Sequence, residues 1–386
     1  MGRSQRVLIF DRSLSNHYSV GLAIGLRNLG ADVRIAGPRS STESFVVPVY
    51  PREGISGRKP AKAVESLNGA AHWWRLVRRW RPDVLHFQWS GLPNYALARA
   101  SLKLTAAPLI LTVHNPVPRG EKRQADMMHA ADALIVHGPT LREELLKRWT
   151  VSAELVHVVP QGNHDHAISR HDRAAARLRL GLPLDGPVYA FVGQFSPRKG
   201  LDTLLSAFRL HCERGHPGIL VIAGRPAYDV DTEALRRSTA PYETRVSWLT
   251  GPAQVPAEQL DLVMSAANQA VLPFHEASQS ASVLYAMTHG RCVVTTPLGE
   301  LPATVGQNGL LVSPEDEHAL AAALEIAVTD PELCDRLGRA ACEFVLAELD
   351  WSGIATLTLD VYESVLRSRG SPALRGKPSQ AQSHAR

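Results

Sequence analysis

Short apolar runs alternate with helical patterns along almost the whole chain. The run RVLIFD at 6–11 is followed by a helical stretch at 20–29, then by Gly30 and the run DVRIAG at 32–37. This order predicts a β-α-β unit with glycine at the end of its helix. Further apolar runs in the first half predict strands at 83–87, 108–113, 133–136 and 155–159.

A second series of the same kind begins near residue 187. The run VYAFVG at 188–193 predicts a strand, and the next helix has its apolar face at Leu201, Leu204, Leu205 and Phe208. Further strands are predicted at 219–224, 269–274, 291–296 and 309–312. The predicted fold class is therefore α/β, with two doubly wound parallel sheets that face a cleft. Ligands of such sheets bind beyond the carboxyl ends of the strands.

The composition is that of a two-domain globular protein. The chain has 386 residues, of which 45% are hydrophobic and 20% charged. It contains no apolar run near the roughly 18 residues of a membrane span, and its first residues lead directly into a strand without a signal-peptide pattern. These features predict a cytoplasmic protein. No C-x-x-C spacing relates the four cysteines, so free buried thiols are predicted at Cys212, Cys292, Cys334 and Cys342.

The net charge of +5 is unevenly distributed. Residues 1–82 carry 14 Lys and Arg against 5 Asp and Glu, a balance of +9, which predicts an anionic partner for this end. The segment AHWWRLVRRWRP at 71–82 places Arg75, Arg78 and Arg79 opposite an apolar face. That face consists of Trp73, Leu76, Val77 and Trp80. A helix packed on a sheet is the preferred interpretation, and an interfacial membrane helix is the alternative. Nucleic acid is not expected, because no recognised binding module accompanies the arginines.

Two windows in the second half contain residues suited to binding phosphate. In FVGQFSPRKGLDTLLSAF at 191–208, Arg198 and Lys199 lie between a strand and a helix, which suits a diphosphate but is equally consistent with a solvated turn. In VLPFHEASQSASVLYAMTHG at 271–290, small residues precede a helix. Hydroxyls and bare N–H groups there suit an anion, although a serine N-cap explains the same pattern.

Together the two windows resemble the family 4 glycosyltransferases of the GT-B fold. The segments GQFSPRKG, EASQSASVLYAMTHGRCVVTT and PLGELPATVGQNGLLVSPED match that family in sequence, spacing and order, and DWSGIATLTLDVYESVL resembles its last helix. The resemblance implies two Rossmann-like domains, an acceptor-side domain at 1–165 and a nucleotide-sugar domain at 166–350. It also implies a helix at 351–368 that returns to the first domain. The tail at 369–386 is predicted to be disordered.

The resemblance also implies the donor site. The diphosphate-binding residues would be Gly193, Gln194, Arg198, Lys199, Ser278 and Ser280. The family's arginine falls on Gln194, and its second glutamate, which holds the ribose, falls on Tyr285. Tyr285 is therefore expected at the ribose through its hydroxyl, with Gly251 near the base.

Catalytic roles are implied for His114, at a strand end in LTVHNPVP, and for Glu276, which is expected to point at the donor sugar. The first β-to-α loop would contact the acceptor or the phosphates through Ser15, Asn16 and His17. For His86, a place in the core is the preferred interpretation.

The implied function is sugar transfer from a nucleotide-sugar to a hydroxyl of a glycan or lipid-linked oligosaccharide, with retention, in surface polysaccharide or glycoconjugate biosynthesis. No metal or other cofactor is expected, because the resemblance implies that Lys199, Arg198 and helix N–H groups neutralise the diphosphate. The enzyme is expected in the cytoplasm, peripheral on the inner face of the plasma membrane. Gln194 and Tyr285 motivate an alternative, a non-catalytic nucleotide-sugar or glycan-binding subunit. A phosphorolytic or epimerising enzyme of the same fold is a second alternative.

Overall fold

A computed structural model describes residues 4–11, 14, 17–38, 41, 43–50, 59–88, 100–101, 105–115, 121–227, 230–251 and 255–370. Within them, two parallel sheets flanked by helices form the fold, and the predicted α/β class is confirmed. The two sheets lie in sequence order, one in each half of the chain.

The first sheet has seven strands in the order β3-β2-β1-β4-β5-β6-β7, and every pair is parallel. Its central strands read as continuous apolar runs because helices cover the sheet. The strands are β1 Arg6–Phe10, β2 Asp32–Pro38, β3 Val46–Tyr50, β4 Val84–Phe87, β5 Leu109–Thr112, β6 Ala133–Val136 and β7 Val156–Val158.

The second sheet has six parallel strands in the order β10-β9-β8-β11-β12-β13. In each sheet the first strand in sequence is a central one, and the order of the strands reverses at that strand. This reversal leaves a crevice at the carboxyl ends of the central strands. The strands are β8 Val188–Val192, β9 Ile219–Gly224, β10 Val246–Thr250, β11 Gln269–Leu272, β12 Cys292–Thr295 and β13 Gly309–Leu311.

The helices pack on the two sheets and on each other. Those of the first half are α1 Tyr18–Asn28, α2 Lys59–Trp80, α3 Glu121–Ala130 and α4 Pro139–Arg148. The second half continues with α5 Arg173–Leu180, α6 Leu201–Glu213, α7 Thr232–Ser238, α8 Ala257–Ala266, α9 Ala281–Thr288, α10 Leu301–Val305, α11 Glu317–Thr329, α12 Pro331–Glu348 and α13 Trp351–Gly370.

Two strands were not predicted, and both lie at sheet edges. Strand β3 contains Pro48, which lacks the N–H needed in a central strand but is tolerated at an edge. Strand β10 is half-buried over most of its length, so VSWLT forms no continuous apolar run. Each edge strand has a partner on one side alone, and a weaker apolar pattern is enough to hold it there.

Helix α2 is packed as the preferred interpretation predicts. Trp73 is fully buried and its indole N–H donates to Ser101 Oγ at 2.6 Å, while Val77 and Trp80 are buried beside it. The three arginines of the opposite face are exposed. Trp74 is also exposed, at 44%, so one indole remains on the surface among the arginines.

A buried junction at 161–164 joins the halves. The side-chain amide of Asn163 donates to Val345 O at 3.1 Å, and its backbone N–H donates to Leu349 O at 3.0 Å. The indole of Trp351 donates to Asn163 O at 3.1 Å and lies directly on the backbone of Gly21 and Gly162. A Cβ atom at either glycine would overlap the indole ring, so this packing requires glycine at both positions.

Helix α13 runs back along the first half and packs against α1. At its far end Arg369 makes a bidentate ion pair with Asp132, with N···O distances of 2.7 Å, and donates to Ala106 O. The predicted disordered tail lies outside the described residues from 371 onward. Residues of the second half therefore complete the packing of the first.

One buried carboxylate also joins the halves. Glu300, which precedes α10 in the second half, is 3% exposed, and its Oε1 accepts the backbone N–H of Leu141 at 2.7 Å. Leu141 lies in the first turn of α4, where N–H groups have no partner within the helix. The carboxylate thus caps a helix of the opposite half, and the positive end of that helix favours its charge.

The predicted free thiols are confirmed for all four cysteines, and Cys342 alone among them is not fully buried. Across the described part of the chain, no helix combines the length and the apolar character that a bilayer-spanning segment needs.

We expect Trp351→Ala to lower the free energy of unfolding by about 3–5 kcal/mol, because it empties a site packed between two glycines. The matched control is Leu357→Ala on the same helix, whose side chain is 44% exposed. That change should stay within about 0.5 kcal/mol. Urea unfolding followed by circular dichroism measures both, and equal losses would contradict the role given to the indole.

Candidate active site

The carboxyl ends of β8 and β9 cross in close contact. The backbone N–H of Gly193 donates to Ala223 O at 3.0 Å, and a Cβ atom at Gly224 would overlap Gly193 O. Both glycines have positive φ, 139° and 153°, a region that side chains disfavour. A bare backbone surface therefore lies where a parallel sheet of this kind binds its ligand.

A pocket of about 350 Å³ opens above these glycines, between the two halves. Its first wall comes from His17 and the junction residues His164, Ala167 and Ile168. Its floor and second wall come from the strand ends and from α8 and α9, through Val192, Gly193, Gln194, Gly224, Arg225, Val255, Ala257, Leu260, Asp261, Ala281, Ser282 and Tyr285. Most of this lining is apolar, with a few polar groups, as in sites for small molecules.

The structure brings together the two windows that the sequence singled out. The backbone N–H groups of His275 and Glu276 donate to Arg198 O at 2.9 and 3.3 Å. Thr203 Oγ1 lies 2.8 Å from His275 Nε2. The loop that carries Arg198 and Lys199 is thus fixed against the segment that follows β11.

Lys199 lies half-buried in this loop, with its Nζ atom 4.2 Å from the centroid of the Phe274 ring. Burial, with a smaller contribution from the neighbouring Arg198, lowers the pKa of the ammonium to about 8. Contact with an aromatic face compensates a cation that has lost water. An anion bound beside Lys199 would restore its full charge.

The two serines of the predicted diphosphate site have different positions. Ser280 is buried and its Oγ accepts the Val283 N–H at 3.4 Å, so the N-cap alternative describes its side chain. Ser278 is half-buried, and its hydroxyl donates to Asn115 Oδ1 of the first half at 3.4 Å. Ser282, in the first turn of α9, lines the pocket, and its Oγ would lie 3.2 Å from a Cβ atom at Gly193.

Tyr285 lines the pocket, and its hydroxyl uses its hydrogen within the protein. It donates to Asp261 Oδ1 at 2.6 Å, and His289 Nε2 lies 3.2 Å from the same oxygen. The other carboxylate oxygen accepts the backbone N–H of Ser169 at 3.0 Å. The tyrosine thus orients a carboxylate from a different helix, and its predicted contact with a ribose stays a prediction.

Asp261 is 4% exposed and is the one acidic residue among the described residues that line the pocket. Burial raises the pKa of its carboxyl, but the hydrogen bonds from His289, Tyr285 and Ser169 lower it by more, so the carboxylate stays charged. The sequence analysis missed it. The available signal was a single aspartate in the otherwise apolar run LDLVMSA of α8.

His114 lies at the end of β5, where the sequence predicts it, on the first-half side of the cleft. Its Nδ1 atom is 2.9 Å from His137 Nε2, and its Nε2 atom is 3.2 Å from Gln88 Oε1. Burial lowers the pKa of His114 well below its ordinary value, and His137 and His86 add to the effect. His86 is fully buried, which confirms the preferred interpretation of that residue.

Three histidines cluster beside the pocket, and two of them, His17 and His164, line it. The ring of His17 lies 6.3 Å from that of His164 and 6.2 Å from that of His166, and His166 Nε2 lies 3.2 Å from His17 O. Burial lowers the pKa of His164 to about 3 and that of His166 to about 4. The junction sequence QGNHDH at 161–166 supplies two of these histidines, and the sequence analysis did not single it out.

The remaining predicted residues are Gln194, Glu276, Gly251, Ser15 and Asn16. Gln194 is exposed at the edge of the pocket, and Glu276 is exposed next to Arg198. Gly251 is half-buried after β10 and is not among the residues that line the pocket. Ser15 and Asn16 lie outside the described residues.

Two sequence families match the chain. Glycosyltransferase Family 4 matches residues 16–164, and Glycosyl transferases group 1 matches residues 186–330. A D-inositol 3-phosphate glycosyltransferase of Acidothermus cellulolyticus is 30% identical over 317 residues, which cover 75% of this chain and 69% of the relative. The matches to two Streptomyces proteins of the same name span 63% and 64% of their length. The chain belongs to these glycosyltransferase families, and it is a transferase.

Solved structures share its fold. A sucrose-phosphate synthase of Thermosynechococcus elongatus superposes with a TM-score of 0.74 at 21% identity, covering 94% of this chain and all of that one. The HepE protein of Anabaena, in complex with UDP-glucose, superposes with a TM-score of 0.70 at 16% identity, covering 93% and 99%. The GT-B fold that the motifs implied is thereby confirmed.

We expect Tyr285→Phe to cost about 1.5–3 kcal/mol of stability at pH 7, because it removes a hydrogen bond to a charged carboxylate. The pKa of Asp261 is lowered by folding, so this stabilisation is complete above the unfolded pKa of about 3.9 and is lost as pH falls below it. The loss of stability caused by Tyr285→Phe should therefore be smaller at acidic pH.

A double-mutant cycle with Asp261→Asn isolates the interaction. Tyr285→Phe should cost clearly less in the Asp261→Asn background, measured by urea unfolding. An unchanged cost in that background would show that the tyrosine stabilises the fold by other contacts.

Proposed function

We propose that the enzyme transfers a sugar from a nucleotide-sugar to a hydroxyl of a glycan or lipid-linked oligosaccharide, with retention of configuration, in the synthesis of a surface polysaccharide or glycoconjugate. The observation that carries the proposal is the pocket between the halves, whose floor is bare glycine backbone at the carboxyl ends of β8 and β9. Family membership and the UDP-glucose complex of HepE support a nucleotide-sugar as the donor.

The pocket has separate parts for the components of such a donor. Its volume of about 350 Å³ lies within the usual range for small-molecule sites, about 300–1,000 Å³. Val192, Val255 and Leu260 offer an apolar surface to a base. Asp261 offers a carboxylate to the ribose hydroxyls, and Tyr285 and His289 orient it. This assignment replaces the missing glutamate of the family with an aspartate from another helix.

The diphosphate would lie along Gly193 and the first turn of α9, whose N–H groups favour an anion. Lys199 and Arg198 supply positive charge from the adjoining loop, and Arg225 does so from the end of β9. Departure of the nucleoside diphosphate builds up negative charge, which these cations neutralise. The proposal assigns this neutralisation to side chains rather than to a metal ion, so chelation with EDTA should leave turnover unchanged.

The sugar would face His114 and Glu276 from opposite halves. His114 offers a hydrogen-bonding nitrogen at the end of β5, and the Ser278 to Asn115 contact places the two segments side by side. His17 lines the pocket, and the proposal has the acceptor enter beside it.

A lipid-linked acceptor requires contact with a membrane surface. Helix α2 exposes Trp74 together with Arg75, Arg78 and Arg79. An exposed indole beside arginines suits the headgroup region of an anionic bilayer, and the +9 balance of residues 1–82 favours it. We include peripheral attachment to the inner face of the plasma membrane in the proposal.

The function is tested by turnover with a panel of UDP-, ADP- and GDP-sugars and a membrane or glycan acceptor fraction. Wild-type enzyme should release nucleoside diphosphate only when acceptor is present. Lys199→Ala should lower turnover about 10- to 100-fold, the equivalent of about 1.5–3 kcal/mol for a charged hydrogen bond. Binding without transfer to any acceptor would favour a non-catalytic subunit, and release without acceptor would favour the second alternative.

The pH dependence of nucleoside diphosphate binding provides an independent check on Lys199. Because its pKa in the free enzyme is about 8, its charge is lost as pH rises through 8, and affinity should then fall about tenfold per pH unit. Lys199→Arg keeps its charge throughout and should remove this decline. Calorimetry from pH 7 to 9.5 measures the affinity of the wild type and of Lys199→Arg. If the two affinities change in parallel with pH, Lys199 does not bind the diphosphate.

Vesicle co-sedimentation tests the membrane contact. The protein should bind anionic vesicles, not neutral ones, and added salt should release it. Replacing Arg75, Arg78 and Arg79 by glutamine should weaken binding, at about 1 kcal/mol per charge. The matched control replaces three exposed arginines of the second half, Arg237, Arg336 and Arg339. Equal loss in the two triple variants would contradict a specific role for α2.

A further inference from the structure

The imidazole of His164 lies in the wall of the pocket without a hydrogen-bond partner. The residue is 5% exposed and lines the pocket. Within the described part of the chain, neither ring nitrogen makes a hydrogen bond, and neither is among the buried polar atoms that are sealed from solvent without a partner. The small exposed part of the side chain therefore includes both nitrogens. Buried polar groups are normally paired, so an open imidazole in a pocket points to a ligand.

The backbone around His164 holds this ring in place. Its own N–H donates to Thr288 Oγ1 at 3.2 Å, and its carbonyl accepts the Ala167 N–H at 2.9 Å. The preceding residue, Asn163, is bonded to α12 through its side chain. The ring itself packs edge-on against Tyr285, with the two centroids 5.7 Å apart. A ring that is already fixed loses little conformational entropy when it binds a ligand.

Burial keeps the ring of His164 neutral. It lowers the pKa to about 3, and the neighbouring His17, His166 and His289 act in the same direction. A neutral imidazole has one N–H donor and one acceptor nitrogen, whichever tautomer is present. A sugar hydroxyl both donates and accepts, so it can pair with either nitrogen. A phosphate oxygen only accepts, and its charge would favour the protonated ring, which burial opposes. The ring therefore suits a hydroxyl better than an anion.

The neighbouring carboxylate has too few free acceptor sites for two hydroxyls. Asp261 Oδ1 accepts from Tyr285 and His289, and its Oδ2 accepts from the Ser169 N–H. A carboxylate has about four lone-pair sites, so about one remains. Burial lowers the pKa of His17 and the charge of Asp261 acts in the opposite direction, so the carboxylate lies within electrostatic reach of the histidines. A ribose at this place presents two hydroxyls and needs a second partner.

We propose that His164 is a substrate-binding residue: its imidazole pairs with one ribose hydroxyl of the nucleotide, beside the hydroxyl that binds Asp261. This inference rests on the proposed function, which has the ribose next to Asp261 and Tyr285, and it adds a partner from the junction. A nucleotide that lacks the hydroxyl would leave the buried ring unpaired. Because an unpaired buried group costs free energy, the enzyme discriminates against deoxyribonucleotides at this point.

The test compares three nucleotides in the absence of any acceptor. Calorimetry measures the affinity of whichever of UDP, ADP and GDP binds most tightly, together with its 2′-deoxy and 3′-deoxy forms. The proteins are the wild type and His164→Phe, which keeps an aromatic ring but has no nitrogen. The preference for the ribonucleotide should fall about 2- to 10-fold in His164→Phe against at least one deoxy form, as expected for one neutral hydrogen bond. An equal loss of affinity for all three nucleotides overturns the proposal.

The matched control is His166→Phe. His166 belongs to the same histidine cluster but is not among the described residues that line the pocket. Its Nε2 donates to His17 O, so its loss disturbs the packing of the cluster and should change the affinity for all three nucleotides by the same factor. His164→Gln, which restores a donor and an acceptor, should recover part of the preference. If His166→Phe lowers the preference as much as His164→Phe does, packing explains the effect and the proposal is wrong.

The failure of this inference is distinguishable from the failure of the proposed function. A preference for the ribose hydroxyl that depends on His164, in a protein that transfers no sugar to any acceptor, supports the inference and contradicts the proposed transfer. Sugar transfer by the wild type, with a preference that His164→Phe leaves unchanged, contradicts the inference alone. A wild type that binds none of the nucleoside diphosphates contradicts both. If His164→Phe does not fold, His164→Leu takes its place with the same expected result.

Discussion

The packing of the Trp351 indole on bare glycine backbone is the contact on which the arrangement of the two halves depends. The ring lies on Gly21 of α1 and Gly162 of the junction, and its N–H donates to Asn163 O. The same ring contacts Tyr18 and His166 edge-on, at 5.4 and 5.5 Å. One side chain from the start of α13 therefore positions α1 and the junction, and the junction contributes His164 to the pocket.

Burial, rather than ion pairing, sets the electrostatics of the cleft. Histidines on both of its sides have lowered pKa values because they are buried, and they are neutral at physiological pH. Among the described residues that line the pocket, Asp261 carries a negative charge and Arg225 a positive one, and Lys199 and Arg198 lie in the adjoining loop. A donor with a polar ribose and an anionic diphosphate matches this division. Neutral rings also make directed hydrogen bonds, since each has one donor and one acceptor.

The sequence predicted what depends on local patterns. Central strands such as β1 and β8 are continuous apolar runs, and the serine cap of α9 follows from the residues beside it. The edge strands β3 and β10 were not predicted, because a strand with one neighbour forms with a weaker apolar pattern. The hydrogen-bonded pairs Tyr285–Asp261 and His114–His137 were not predicted for a different reason. Each joins residues more than 20 positions apart, and no local pattern encodes which side chains meet. A motif comparison singled out Tyr285, which lines the pocket, but could not reveal that its hydroxyl bonds a carboxylate of another helix.

The return of α13 to the first half has a consequence for the order of folding. Helix α1 ends at Asn28, and its packing partner begins at Trp351, so more than 300 residues must be synthesised between them. At translation rates of roughly 5–20 residues per second, this takes on the order of ten seconds or more. The second half has its complete sheet by Leu311. On the ribosome, the half made first is therefore the last to bury its surface, and a nascent chain stalled before α13 exposes α1 to chaperones and proteases.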